Sequence, residues 1–410
     1  MKVLWITNIL LPPISQYMGS DKVNVGGWMF SALQQLCDCR IEFVVATVAK
    51  IEKSIEVEID GIKYYVLPER RSRIYYDSSL EKEWKYINQK EHPDVVHIHG
   101  SEYQHGHAWI NACGNTNVVL SFQGILSAYS RYYFCGLEGL KNPITLRKLL
   151  HRGTLNQERK EWERRSKEEI IFLKKINNYI GRTEWDRVHG WAINPKAKYY
   201  FCGETLRPIF YQHKWNYDRC QPHTIFLSQA TYPIKGFQNL LKALPLILRV
   251  FPDTKVKIAG TKILATPKYR RTDFAAIISQ YIVDCNLESH IEFLGSLSEE
   301  DICKEYLKAN VFVCPSSIEN SPNSLGEAQL LGMPIVAAYV GGIPEIMENA
   351  LQYVYRFEEF EMLAAKICMI FEAEENFHVP NYILDRYDPI LNRDTLIKIY
   401  KNVDFQILIC

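Results

Sequence analysis

Short apolar runs recur along the chain, each followed by polar, glycine-bearing or helical sequence. Residues 3–6, 41–46, 95–99 and 118–122 predict strands, and their near-continuous apolar character predicts that both faces are covered. Residues 55–67, broken by Asp60-Gly61, predict a hairpin added to that sheet. A second series begins near Thr224. Residues 225–228, 255–259, 290–294, 311–314 and 335–338 are strand-like, and 237–250, 271–285 and 299–309 are helical between them. Ser298-Glu299-Glu300 is a helix start, a capping side chain followed by acids that suit the positive end of the helix dipole. Strands alternating with helices predict parallel sheets with helices on both faces, here twice over.

The pattern therefore predicts two α/β domains, over 1–215 and 216–385, with the polar stretch 212–222 as hinge. The last helical segment, 386–410, is expected to pack back on the first domain. Two doubly wound units imply a crevice, and ligands in open α/β sheets bind at the carboxyl ends of strands.

Composition changes this picture little. The chain has 410 residues, 47% hydrophobic and 23% charged, with 48 Lys and Arg against 47 Asp and Glu. A net charge of +1 is no global design for nucleic acid. The 11 cysteines are scattered and odd in number, which reads as reduced cytosolic thiols rather than a disulfide framework. Thr7 and Asn8 interrupt the apolar start, so it reads as a buried strand rather than a signal peptide, and no run approaches the length of a transmembrane helix. One segment departs from neutrality. Residues 129–175 hold 12 Lys and Arg against 6 Asp and Glu, with Tyr132, Tyr133 and Phe134 near the start. This is either a solvated amphipathic helix or a surface for an anionic acceptor or membrane headgroups.

The candidate chemistry lies just after the strands. Residues 315–328 follow one strand and open a helix, with Glu319 in the loop and Glu327 in the first turns. Free N–H groups at that helix start, with the helix dipole, would form an anion site. A capped surface helix with two incidental acids would read the same way. Lys235, after Tyr232-Pro233-Ile234 and before Gly236, opens another helix and suits a diphosphate leaving group. Gly26 and Gly27 let backbone approach a ligand after the first strand, but the run is not G-x-G-x-x-G, which disfavours a nicotinamide enzyme. His97, His99, His105 and His107 tempt a metal reading, but no carboxylate or thiolate cluster adjoins. Arg182 and Glu184 either enter the crevice or form a structural ion pair.

The 315–328 stretch resembles the E-x7-E motif of the retaining glycosyltransferases of family four, which have the GT-B fold of two facing Rossmann-like domains with a cleft between them. Phe293-Leu294-Gly295-Ser296-Leu297, Gly332-Met333-Pro334 and Gly341-Gly342-Ile343-Pro344-Glu345 match the same family. The resemblance implies that Glu319 contacts the donor sugar, that Glu327 binds the nucleotide ribose, and that the turn at Gly295 and Leu297 borders the base. It implies Lys235, Asn323, Ser324 and Leu325 at the diphosphate, Gly26 and Gly27 beside the donor phosphates, and His99 and Gln123 toward sugar and acceptor; Arg182, by its place after a strand, is a further candidate there. Two departures stand out. The family's clamp arginine is absent where Gln229 stands, and Gln123 stands where many relatives carry histidine, so it can hydrogen-bond but cannot shuttle protons.

The expected activity is transfer of a sugar from a nucleotide diphosphate to a hydroxyl of a glycan or polyprenyl-linked acceptor. No metal or cofactor is expected. The expected setting is the cytoplasm, at the inner face of the membrane, with 129–175 as the contact. A sugar-nucleotide epimerase of the same fold, a phosphorylase and a non-enzymatic nucleotide-sugar sensor are the rival readings.

Overall fold

The computed structural model describes residues 1–19, 27–37, 39–150, 152–373 and 380–407, with side chains to Asp404. The chain divides into two compact units, residues 1–128, 163–206 and 385–410 in one and 129–162 and 207–384 in the other.

The first unit is built on strands β1 (Lys2–Thr7), β2 (Glu42–Ala49), β3 (Ile55–Ile59), β4 (Ile62–Pro68), β5 (Val95–His99), β6 (Val118–Ser121), β7 (Asn178–Gly181) and β8 (Lys198–Phe201). Their order is β3-β4-β2-β1-β5-β6-β7-β8, parallel except for the β3–β4 hairpin. That hairpin turns through Asp60 and Gly61, both at positive φ (50° and 75°), the geometry that keeps the strands' right-handed twist. The apolar runs lack alternation because each strand feeds two cores. Leu4, Ile6, Val44, Val96, Ile98 and Leu120 enter one. Val3, Trp5, Phe43, Val45, Val95 and Val119 enter the other. The helix Pro389–Ile407 covers the second face beside the helix Gly27–Cys37. Its Tyr400 is fully buried, accepts from the Trp5 indole at 2.9 Å and meets His97 Nδ1 at 2.7 Å.

The second unit carries β9 (Gln221–Leu227), β10 (Lys255–Ala259), β11 (Ile291–Gly295), β12 (Ala309–Cys314), β13 (Ile335–Ala338) and β14 (Val354–Tyr355). The order is β11-β10-β9-β12-β13-β14, all parallel. Strand order reverses between β9 and β12, so this is the unit's topological switch point.

The division between units falls at 206/207 rather than 215/216. Trp215 explains this, since its N–H donates to the Leu331 carbonyl at 2.8 Å and its indole to the Ala309 carbonyl at 2.8 Å. The 212–222 stretch is thereby tied to the second sheet and is not a loose hinge. Residues 129–162 also leave the first unit. The Leu155 N–H donates to Asp273 (3.2 Å), and Gln238 and Lys242 donate to the carbonyls of Cys135 (2.9 Å) and Gly136 (2.8 Å). The helix Leu155–Leu173 runs on into the first unit from Glu163. Among the described residues, ten cysteines are free thiols, and no helix is long and apolar enough to cross a membrane.

Candidate functional site

Two loops meet at the switch point of the second sheet, one after β9 and one after β12. Gly236 makes the first loop possible. It sits at φ +72°, and a Cβ there would lie 1.7 Å from the Pro315 carbonyl oxygen. The second loop is held from its other side by Gly341, at φ +54°, whose Cβ would lie 1.7 Å from the Glu319 carbonyl oxygen. Gly342 N–H donates to that same oxygen at 3.0 Å, and Ser317 N–H donates to the Ile234 carbonyl at 2.8 Å. The 315–320 backbone is thus clamped between two glycine turns that no side chain could replace.

Inside this clamp Lys235 Nζ lies 2.6 Å from Glu319 Oε1, and the Ser316 hydroxyl donates to the same oxygen at 2.9 Å. Glu319 is 6% exposed. Burial works to lower the Lys235 pKa, but the Glu319 charge outweighs it and holds the ammonium well above its usual range. Lys235 is therefore a permanent cation at the carboxyl ends of β9 and β12.

Beyond the loop the helix Asn323–Leu331 begins, and Gly332 ends it at φ +72°. Leu325 N–H donates back to the Pro322 carbonyl at 3.0 Å, so it does not present the donor expected of it, and Gly326 N–H does the same at 3.3 Å. The Ser324 carbonyl accepts from Tyr306 at 3.0 Å. Glu327, 3% exposed, receives a two-pronged ion pair from Arg207, with Nε and Nη2 each 2.7 Å from one carboxylate oxygen. Burial pushes the Glu327 carboxyl up, and the Arg207 charge pulls it back.

The remaining expected donor-side residues are less engaged. Gln229 spends its Nε2 on Thr231 at 2.7 Å. Gly295 turns at φ +89° and its carbonyl accepts from Gly260 at 2.9 Å, with half-buried Leu297 two residues on. Gly27 opens the helix Gly27–Cys37 in the first unit, while Gly26 lies outside the described residues.

The structure places His99, Gln123 and Arg182 in the first unit, at the ends of β5, β6 and β7. Arg182 is a buried structural cation. It pairs with Glu204 at 3.1 Å, donates to the Phe122 carbonyl at 3.2 Å and lies over Trp28. Glu184 does not join it but pairs with Arg187 on the surface. His99 stacks on His97 with centroids 3.8 Å apart, and both border a cavity of about 60 Å³ with Trp5, Trp28, Arg182 and Glu204. Burial pushes His97 down to about 3, with Arg182 adding to it. Half-buried Gln123 follows Phe122 and faces Gly100. The four histidines do not converge on one point, and among the described residues His99 Nε2 and His105 Nδ1 have no hydrogen-bond partner. His97 bonds Tyr400 and Ser121, His107 bonds Gln104 and Lys175, and no metal-holding group occurs among the described residues.

Sequence reasoning missed three residues of the second-unit site. Arg207 lies 120 positions from Glu327, so no spacing could reveal it. Ser316 sits inside the motif but reads as loop polarity. Tyr129 receives the Asn320 N–H at 3.0 Å, and Ser317 donates to the Tyr132 carbonyl at 3.2 Å. The start of the basic segment thus braces the Glu319 loop.

Residues 213–380 match the family described as "Glycosyl transferases group 1". The chain is 26% identical over 217 residues to spore coat protein SA of Bacillus subtilis, covering 49% of this chain and 55% of that protein. It is 28% identical over 140 residues to a GDP-mannose-dependent monoacylated alpha-(1-6)-phosphatidylinositol monomannoside mannosyltransferase of Corynebacterium glutamicum, covering 32% of this chain and 33% of that one. The matches thus span about a third to about half of these relatives' length. In structure it is similar to sucrose-phosphate synthase from Thermosynechococcus elongatus, with TM-score 0.64 at 13% identity, covering 99% of this chain and 97% of that one. It is also similar to HepE of Anabaena in complex with UDP-glucose, with TM-score 0.65 at 15% identity, covering 98% and 100%. The likeness to these two is one of fold, the two Rossmann-like sheets of the GT-B class.

Proposed function

Residues 213–380 being a glycosyl transferases group 1 domain, we propose that the chain moves a sugar from a nucleotide diphosphate to a hydroxyl of a glycan or lipid-linked acceptor, with retention at the anomeric carbon. The observation that carries this reading is the Lys235–Glu319 pair, buried at the switch point beside the start of the 323–331 helix.

In this reading the donor diphosphate lies against that helix start, at Asn323 and Ser324, where the dipole favours an anion. Charge grows on the diphosphate as its bond to the anomeric carbon breaks, and the Lys235 ammonium offsets it. Glu319 holds the sugar and stabilises positive charge at the reacting carbon. The acceptor oxygen bonds that carbon on the face the diphosphate leaves, and its proton passes to the departing phosphate. Arg207 occupies one lone pair on each Glu327 oxygen, which leaves the others to accept ribose hydroxyls. Gln229 offers no charge, so Lys235 is the principal side-chain cation for the leaving group, and metal-independent turnover is part of the proposal that the chelator arm below tests. The setting we propose is polysaccharide or lipid-linked glycan assembly at the cytoplasmic face of a membrane, where free thiols persist and the 129–175 segment meets the bilayer.

A donor screen tests this. Thermal shift and slow donor hydrolysis are measured with UDP-, GDP- and ADP-sugars, with and without a chelator. One base class stabilises the protein, and turnover survives chelation. The Glu319→Ala variant keeps the thermal shift and loses turnover by about a hundredfold or more. Stabilisation by no donor, or unchanged turnover in Glu319→Ala, overturns the reading.

A further inference from the structure

The 141–152 part of the basic segment does not share the bracing role of residues 129–136. It carries four side chains that the fold leaves in the open. Ile144 is 76% exposed, Leu149 64%, Leu150 61% and Leu146 50%. The short helix Leu146–Leu149, which presents two of them with Leu150 at its C-terminal end, is fixed at its start, where the Thr145 hydroxyl accepts from the Lys148 N–H at 3.1 Å. It packs beside a second projecting turn, Lys268–Arg270, whose Tyr269 is 56% exposed. Soluble proteins rarely cluster large aliphatic side chains this way without a use for them.

The charge around these side chains says what they meet. Lys141, Arg147, Lys148 and Arg152 lie in one segment, and Lys262, Lys268, Arg270 and Arg271 in 261–272, with no Asp or Glu in 141–152 or in 261–272. Some are engaged within the unit. Lys141 pairs with Asp284, and Arg271 donates to Thr266, Leu264 and Ser279. Among the described residues Arg152, Lys268 and Arg270 pair with no carboxylate. A second copy of the chain seated symmetrically here would set like charges against one another. A phospholipid surface offers both things the patch lacks, an apolar layer and anionic headgroups above it.

We propose that residues 143–150 and 267–270 form a docking surface for an anionic lipid bilayer, with the aliphatic side chains entering the headgroup–acyl boundary and the cations ringing them. This deepens the membrane side of the reading above and names the face and the lipid chemistry, but it does not depend on sugar transfer. It moves the contact from the whole of 129–175 to its 143–150 tip and adds a turn more than a hundred residues away in sequence.

The test is co-sedimentation of the full chain with phosphatidylcholine vesicles containing roughly 30% phosphatidylglycerol, compared with phosphatidylcholine alone. The expected result is binding to the mixed vesicles only, weakened by salt. Ile144→Ser/Leu149→Ser/Leu150→Ser lowers that binding on the order of a hundredfold, and Lys268→Glu lowers it roughly fivefold or more. All four positions are exposed, so folding is preserved, and the donor-induced thermal shift of each variant serves as the control. Failure of vesicle binding with an intact donor shift overturns this proposal alone, whereas loss of the shift in the unaltered chain overturns the transfer reading alone. Vesicle binding unaffected by the triple substitution, or capture by a soluble anionic polysaccharide but not by vesicles, also overturns it.

Discussion

At the scale of single residues, the site depends as much on two glycines as on its charged groups. Gly341→Ala puts a Cβ 1.7 Å from the Glu319 carbonyl oxygen at a positive φ, so the loop must move and carry Glu319 from Lys235. We expect destabilisation of about 2–4 kcal/mol and a loss of turnover larger than stability alone explains, read from urea unfolding and donor hydrolysis. Equal effects on both would count against the clamp. Arg207 is a positioning residue for Glu327. Arg207→Gln should raise the donor KM roughly tenfold or more with a smaller change in kcat, and a pure kcat effect would contradict it. Here the limits of the sequence are plain. Glu319, Glu327, Lys235 and the two glycines stand inside local motifs that the sequence displays, although the clamp the glycines make is visible only in the fold. Arg207 and Tyr129 act through the fold alone, since each reaches its partner across more than a hundred positions.

At the scale of elements, legibility followed burial. Strands covered on both faces show as near-unbroken apolar runs, and β1, β6 and β13 stand where those runs stand. β8, with sequence KYYF and exposed ends, lies at the edge of its sheet and carries no such signal, and the two-residue β14 is too short to show one. The helix Pro389–Ile407 was visible in outline, but not the residue that seats it. Tyr400 is buried among apolar neighbours, and its hydroxyl is served by Trp5 and His97. Tyr400→Phe leaves the packing and removes both bonds, so it should cost the first unit about 1–3 kcal/mol. Equilibrium urea unfolding followed by tryptophan fluorescence and far-UV circular dichroism measures this, and a neutral substitution would mean that the helix is held by packing alone.

At the scale of the whole molecule, the ionisable groups are divided unevenly, and pH should expose the division. His97, His99, His105 and His107 all belong to the first unit. Burial holds each one's pKa down, to about 3 for His97 and about 4 for His105 and His107. Unfolded, they take up protons near pH 6.5. Between that pH and about 4 the unfolded chain therefore binds more protons than the native one, and stability falls as acid is added. Glu169 acts in the opposite sense. Burial raises it to about 7, against bonds from Ser101, Ser127 and Leu126, so the native state holds its proton first and gains as pH falls from 7 toward 4.5. Glu102, whose carboxyl burial also pushes up, acts with Glu169. Four histidines outweigh two carboxyls, and each uncompensated proton is worth about 1.4 kcal/mol per pH unit. Urea midpoints measured from pH 7.5 to 4.5 should therefore decline below about pH 6.5. Glu169→Gln removes one of the two opposing groups, so its decline should be steeper, while above pH 7 it should equal or exceed the parent because one fewer buried carboxylate has to ionise. His105→Asn should make the decline shallower. Midpoints of the two variants running parallel to the parent would show that these buried groups do not set the acid limit of the first unit.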